Sequence, residues 1–224
     1  MDIEIVHGPG SSAARVRFAR NETCVAEGGS MICMRGDFAV ETATHQRNRS
    51  IMGGLKRMLG GESFFLNFYT SQSDAGEVLF STALPGDMVS LPISNAGIIV
   101  EGGAFVVREQ GVEMDVSWQG LKSMFSGEGL FWLRMHGSGQ VVVSTFGAMY
   151  SIDVDGEYIV DTGHIVAFEE SLNFSITKAG KSWISSMLGG EGLVCRFSGK
   201  GRVWCQSHSA PAFGGLLGPL LRPR

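Results

Sequence analysis

Apolar and polar positions alternate with a period of two in short runs bounded by glycine. Gln140-Val-Val-Val-Ser-Thr-Phe146 and Leu193-Val-Cys-Arg-Phe197 carry β-branched or aromatic side chains at strand spacing. Residues 131–135, 137–139 and 141–143 read as strand, turn, strand, and so do 194–197, 199–201 and 202–205. The glycines in both turns reach positive φ at little steric cost, which suits a tight reversal. Long helical periodicity is missing. Only short segments such as Leu55-Lys-Arg-Met-Leu59 place apolar residues at i, i+3 and i+4 ahead of a terminating glycine. The pattern predicts an antiparallel all-β domain with short helical turns.

One phrase recurs three times along this pattern: Leu55-Lys-Arg-Met-Leu-Gly-Gly-Glu62, Leu121-Lys-Ser-Met-Phe-Ser-Gly-Glu128 and Ile184-Ser-Ser-Met-Leu-Gly-Gly-Glu191. Each copy is preceded by an acidic residue, a glycine and an apolar run, opening at Glu27, Glu101 and Asp161. Self-similarity of this kind predicts one supersecondary unit built three times. The units fall at about 1–95, 96–157 and 158–208, followed by a tail at 209–224. Extra length in the first unit lies in two polar stretches, 44–50 and 69–76, with surface-loop compositions.

These phrases, with Gly28-Gly-Ser-Met31 and the pairs Gly127-Glu-Gly-Leu130 and Gly190-Glu-Gly-Leu-Val194, resemble the altered-inheritance-of-mitochondria family over nearly the whole chain. The resemblance implies a fold similar to the tryptophan-RNA-binding attenuation protein, with antiparallel sheets in a double-stranded β-helix-like arrangement repeated around a pseudo-threefold axis, in agreement with the three copies of the phrase. It implies bacterial relatives of this length and an organellar member tied to mitochondrial organisation or biogenesis. No catalytic residue is transferred by it. The attenuator's RNA binding is not carried over, since a fold does not fix a function and no comparable series of basic residues is present.

Composition adds boundaries. The chain has 224 residues, 44% hydrophobic and 18% charged, enough to bury a large core and too apolar for disorder. Its 32 glycines against 6 prolines fit many tight turns. A net charge of −4 argues against nucleic acid as a partner. The opening Met1-Asp-Ile-Glu-Ile5 lacks a signal-peptide pattern, and no apolar stretch approaches a spanning helix, so a cytoplasmic location is expected. Cys24, Cys33, Cys195 and Cys205 form no C-x-x-C pair and read as reduced core thiols, Cys195 and Cys205 flanking one turn.

Candidate chemistry is thin. Gly61-Glu62, Gly127-Glu128 and Gly190-Glu191 are the repeat-equivalent turn residues. Each glutamate reads first as a clasp accepting N–H groups of its own turn. The alternative gathers the three carboxylates around a hard cation, as a metal-dependent enzyme would. Gly137-Ser-Gly139 and Gly199-Lys-Gly201 lack the helix and third glycine of a dinucleotide site. Asp153-Val-Asp-Gly-Glu157 lacks the later ligands of a calcium loop and reads as a turn between strands. Neither H-x-H nor H-E-x-x-H occurs, and no cofactor or resident metal is expected. Trp118, Trp132, Trp183 and Trp204 read as packing at the seams between units.

The tail holds enough proline and glycine to preclude regular structure over most of its length. Its Phe213, Leu216, Leu217, Leu220 and Leu221 are costly to leave in water, so it either packs on its own domain or docks elsewhere. The leading functional expectation is a non-enzymatic β-scaffold that binds a protein partner or a membrane-associated assembly, with homo-oligomerisation compatible. The alternative is a small-ligand binder with sites at seams between repeats or subunits.

Overall fold

The computed structural model describes residues 1–43, 65–94, 96–115, 131–178 and 193–221. Strands dominate them. The first stretch holds β1 (Asp2–Val6), β2 (Ala13–Phe18), β3 (Thr23–Glu27), β4 (Met31–Arg35), β5 (Phe38–Ala43), β6 (Leu66–Ser71) and β7 (Gly76–Phe80). Next come β8 (Met88–Ile93), β9 (Ile98–Glu101), β10 (Phe105–Glu109), β11 (Val112–Asp115), β12 (Trp132–Gly137) and β13 (Gly139–Ser144). The last are β14 (Met149–Asp161), β15 (Ile165–Glu169), β16 (Asn173–Lys178) and β17 (Leu193–Gln206). Single 3₁₀ turns at Gly102–Ala104 and Thr162–His164 join β9 to β10 and β14 to β15.

Three sheets contain these strands, and every strand pairing is antiparallel. Their orders are β1-β2-β7-β4, β5-β6-β3-β10-β13-β8 and β11-β12-β9-β15-β17-β14, with β16 added on β17. Period-two patterning places the one-sided strands: in β11, Val112 and Met114 are buried while Glu113 and Asp115 face solvent. Strands covered on both faces show continuous burial instead, as at Phe105-Val-Val-Arg108 of β10 and Ile165-Val-Ala-Phe168 of β15. Arg108 is tolerated there because its Nη1 donates to the carbonyls of Glu109 and Val112. Three apolar clusters form the core, one around Val100, Phe105 and Leu133, one around Val16, Phe80 and Val106, one around Ile99, Phe168 and Phe197.

Trp132 of β12 is buried in the third cluster, edge-on to Phe168 at 5.5 Å between ring centroids, and Trp204 packs partly buried against the first. Both therefore tie strands of different sequence stretches together. Trp118 and Trp183 lie outside the described residues.

Several local expectations are corrected. β12 and β13 adjoin through Ser138 without pairing; β12 bonds β11 and β9, whereas β13 bonds β10 and β8. The Gly137-Ser-Gly139 step, with φ of 98° and 140° at its glycines, carries the chain from one sheet to another rather than reversing it. Residues 199–201 make no turn either. They lie inside β17, a continuous strand bonded along its length to β14 from Met149↔Gln206 to Asp161↔Val194. Asp153–Glu157 is likewise strand, within β14.

Cys195 and Cys205 therefore sit ten positions apart on one strand, opposite Val160 and Tyr150, and do not face each other. Both are buried free thiols, as is Cys24, while Cys33 is exposed. Of the stretch 69–76, β6 takes Tyr69-Thr-Ser71 and buries Tyr69 in the core, leaving only 72–75 as loop. The stretch 44–50 and the helical turns expected at 55–59, 121–125 and 184–188 lie outside the described residues.

The tail is also corrected. It forms a helix, α1 (Ala210–Leu217), and a 3₁₀ turn at Gly218–Leu220. Ser209 caps it by accepting the Ala212 N–H, and Pro211 falls in the first turn, where no intrahelical donor is needed. Position within the helix thus outweighed the proline and glycine content.

Candidate functional site

A cavity of about 540 Å³ opens where the ends of β3, β9, β14 and β17 meet. Its wall includes Glu27, Glu101, Ser144, Thr145, Thr162 and Gln206, closed on one side by Ala210 and Pro211 of α1. Glu27 ends β3 and Glu101 ends β9, so both carboxylates are delivered by strand termini next to a chain reversal. That reversal is tight after Glu101: the Gly102 N–H donates to the Phe131 carbonyl at 2.8 Å, and a Cβ at Gly102 would sit 2.1 Å from the Phe131 ring.

Most polar side chains of the wall are committed to the frame. Thr145 Oγ1 donates to Gly147 O at 2.7 Å, and Thr162 Oγ1 to Leu193 O at 2.9 Å. Gln206 Nε2 donates to Gly163 O at 3.0 Å while its Oε1 accepts the Phe146 N–H at 2.9 Å. The carboxylates remain. Burial pushes Glu101 up to about 7 despite N–H donors from Gly103 and Ala104. Glu27 is likewise pushed up to about 7, first by burial and then by the negative charge of Glu101. Both side chains are half-buried and line the cavity. Among the lining residues there is no lysine, arginine or histidine to offset them.

α1 is fixed at the cavity wall by its start. Phe213 packs edge-on against Phe146 at 5.3 Å, and Phe146 lies 5.1 Å from the His208 ring. Beyond Phe213 the helix turns outward: Leu216, Leu220 and Leu221 are 70%, 77% and 68% exposed, against 39% for Phe213 and 37% for Leu217.

Gly61, Glu62, Gly127, Glu128, Gly190 and Glu191 lie outside the described residues, and among the described residues no group of His, Cys, Asp or Glu is arranged for a metal ion. Glu27 and Glu101, which opened the repeats in the sequence, are brought to one wall. Asp161, the third such residue, turns its Oδ1 instead to the Gly163 N–H at 2.8 Å. The sequence signal for Glu27 and Glu101 was their shared position before a glycine, which marks a unit without revealing burial.

Fold and site define an antiparallel all-β protein with an acidic cavity. The chain belongs to the mitochondrial biogenesis AIM24 family, whose profile matches residues 3–208. It is 27% identical to an uncharacterised protein of Streptococcus pyogenes serotype M6, over 90% of this chain and 86% of that one. A crystal structure of a Streptococcus pyogenes protein shares the fold, with a TM-score of 0.80 at 23% identity, covering 98% of this chain and 99% of the other. No helix of the described residues is long and apolar enough to cross a membrane.

Proposed function

We propose that the protein is a non-enzymatic binding scaffold made of three copies of one β-unit, with a ligand seat in the cavity where the copies meet. The pairings support the three copies. In the first, β6 lies between β5 and β3 while β7 lies between β4 and β2. In the second, β12 lies between β11 and β9 while β13 lies between β10 and β8. In the third, one end of β17 lies between β16 and the 157–161 end of β14, and its other end between β15 and the 149–154 end. The register shifts at Met31/Cys33, Phe105/Val107 and Ile165/Ala167 fall at the same step of each copy. Drawn this way the copies start at β2, β8 and β14, a threefold repetition in keeping with the family resemblance, without the last copy closing onto the first among the described residues.

The observation that carries the ligand seat is the pairing of two under-compensated carboxylates, Glu27 and Glu101, on one wall of an open cavity of about 540 Å³. That volume lies within the range of small-molecule sites, roughly 300–1,000 Å³. A ligand presenting a positive charge or several N–H donors offsets both carboxylates and stabilises the native state by mass action. A thermal-shift screen at pH 8 with cationic, neutral and anionic small molecules tests this. Cationic compounds raise Tm of the native protein and have no effect on Glu27→Gln/Glu101→Gln. No shift with any compound, or equal shifts in the variant, contradicts the reading.

A second reading is favoured by the outward-facing Leu216, Leu220 and Leu221: α1 docks on a protein or membrane-associated assembly. The buried free thiols suit a reducing compartment, in keeping with a cytoplasmic protein.

A further inference from the structure

The copies meet at seams, and the chain contains two of them. β3 of the first copy bonds β10 of the second, with Ala26↔Val107, Val25↔Arg108 and Cys24↔Glu109. β9 of the second bonds β15 of the third, with Val100↔Ala167, Ile99↔Phe168 and Ile98↔Glu169. These are one contact made twice in the same register. By the same scheme the third copy offers the 157–161 end of β14, and the first copy offers β4 as the receiving strand. Among the described residues these two edges are unpaired: β4 ends its sheet after β7, and β14 bonds only β17.

Burial separates the used seams from the unused one. The seam residues of β3, β9, β10 and β15 are buried apart from their acidic ends. Their counterparts are mostly exposed: Met31, Ile32 and Met34 on β4, and Tyr158 and Ile159 on β14, at 41–56% of full accessibility, while Val160 turns inward and is buried. All five residues of β4 face solvent although four are apolar or sulfur-bearing, the composition of a strand awaiting a neighbour. The third copy also differs in shape. Its hairpin runs straight through Gly156 and Gly199, where the other copies pass between sheets, so the donor edge is continuous with the rest of β14.

We propose that a second copy of this chain completes the open seam, its β4 pairing antiparallel with residues 158–160 of β14 in a head-to-tail contact. The inference rests on the three-copy reading and not on the ligand seat. The register of the two internal seams fixes the third: Cys33 opposite Val160, Met34 opposite Ile159 and Arg35 opposite Tyr158. A second copy is the fitting occupant because both halves of the interface are present on every chain. Charge agrees, since Arg35, which has no ion pair among the described residues, meets a strand end carrying Asp155 and Glu157. Such a contact closes a ring or a reciprocal dimer, or propagates as a filament.

Disulfide trapping in a Cys33→Ser background tests it. A chain with Met34→Cys and a chain with Ile159→Cys, each unable to cross-link alone, form a covalent dimer on mixing and mild oxidation. Met34→Cys dimers formed without the second chain reveal β4 pairing with itself, which overturns the head-to-tail contact and its register. A double variant that cross-links within one chain, while the native protein sediments as a monomer, overturns the second copy and keeps the three-copy scheme. Sedimentation of the unmodified protein guards against variants that misfold: self-association that rises with concentration and is lost in Ile159→Lys supports the proposal. A monomer throughout the micromolar range refutes it.

Discussion

Glu101 and Glu27 link charge to stability in a direction opposite to most carboxylates. Their folded-state values near 7 lie above the unfolded range, so the native state binds protons that the unfolded chain has released. The contribution is fully present below about pH 4.5 and is lost as pH rises through about 7. Removing one charge relieves this penalty. Glu101→Gln should raise stability at pH 8 by about 1–3 kcal/mol, with little change at pH 4.5, read as the difference in urea midpoint from the native protein. At Gly102 the space is already taken by the Phe131 ring, so Gly102→Ala should cost about 1–3 kcal/mol at any pH. Position was legible in the sequence for both residues; burial was not, because it depends on strands far away in the chain.

At the scale of elements, alternation located most strands, and continuous apolar runs marked those covered on both faces. Gly-x-Gly was misleading for a physical reason. Glycine permits positive φ, but whether the chain reverses, crosses to another sheet or bends within a strand is decided by the strand that bonds it. At Gly137 that partner changes sheet, whereas at Gly199 it is β14 continuing straight on. α1 shows the same limit, since a serine cap and a first-turn proline set the local outcome. Beyond Phe213 only Leu217 is turned toward the body, and it stays 37% exposed, so deleting residues 214–224 should leave Tm within a few degrees, as surface changes do. The same deletion should abolish any recovery of the protein with membranes or partner complexes, measured by flotation and co-purification. Retained recovery removes α1 as a docking element.

For the whole molecule, period-two alternation correctly indicated all-β architecture, and the repeated phrases pointed to family membership, which the profile match over residues 3–208 shows. They did not reveal that Glu27 and Glu101 share a cavity, which follows from how strands far apart in the chain come together. The central claim is that one seam geometry is used twice within the chain and offered a third time at its edges. Hydrogen exchange of the full chain at low and high concentration tests it most directly. Amides at the β3–β10 and β9–β15 seams should be protected at both concentrations, while those of β4 and of residues 158–160 gain protection only at the higher one. Concentration-independent exchange at β4 and 158–160, fast or slow, would contradict the account.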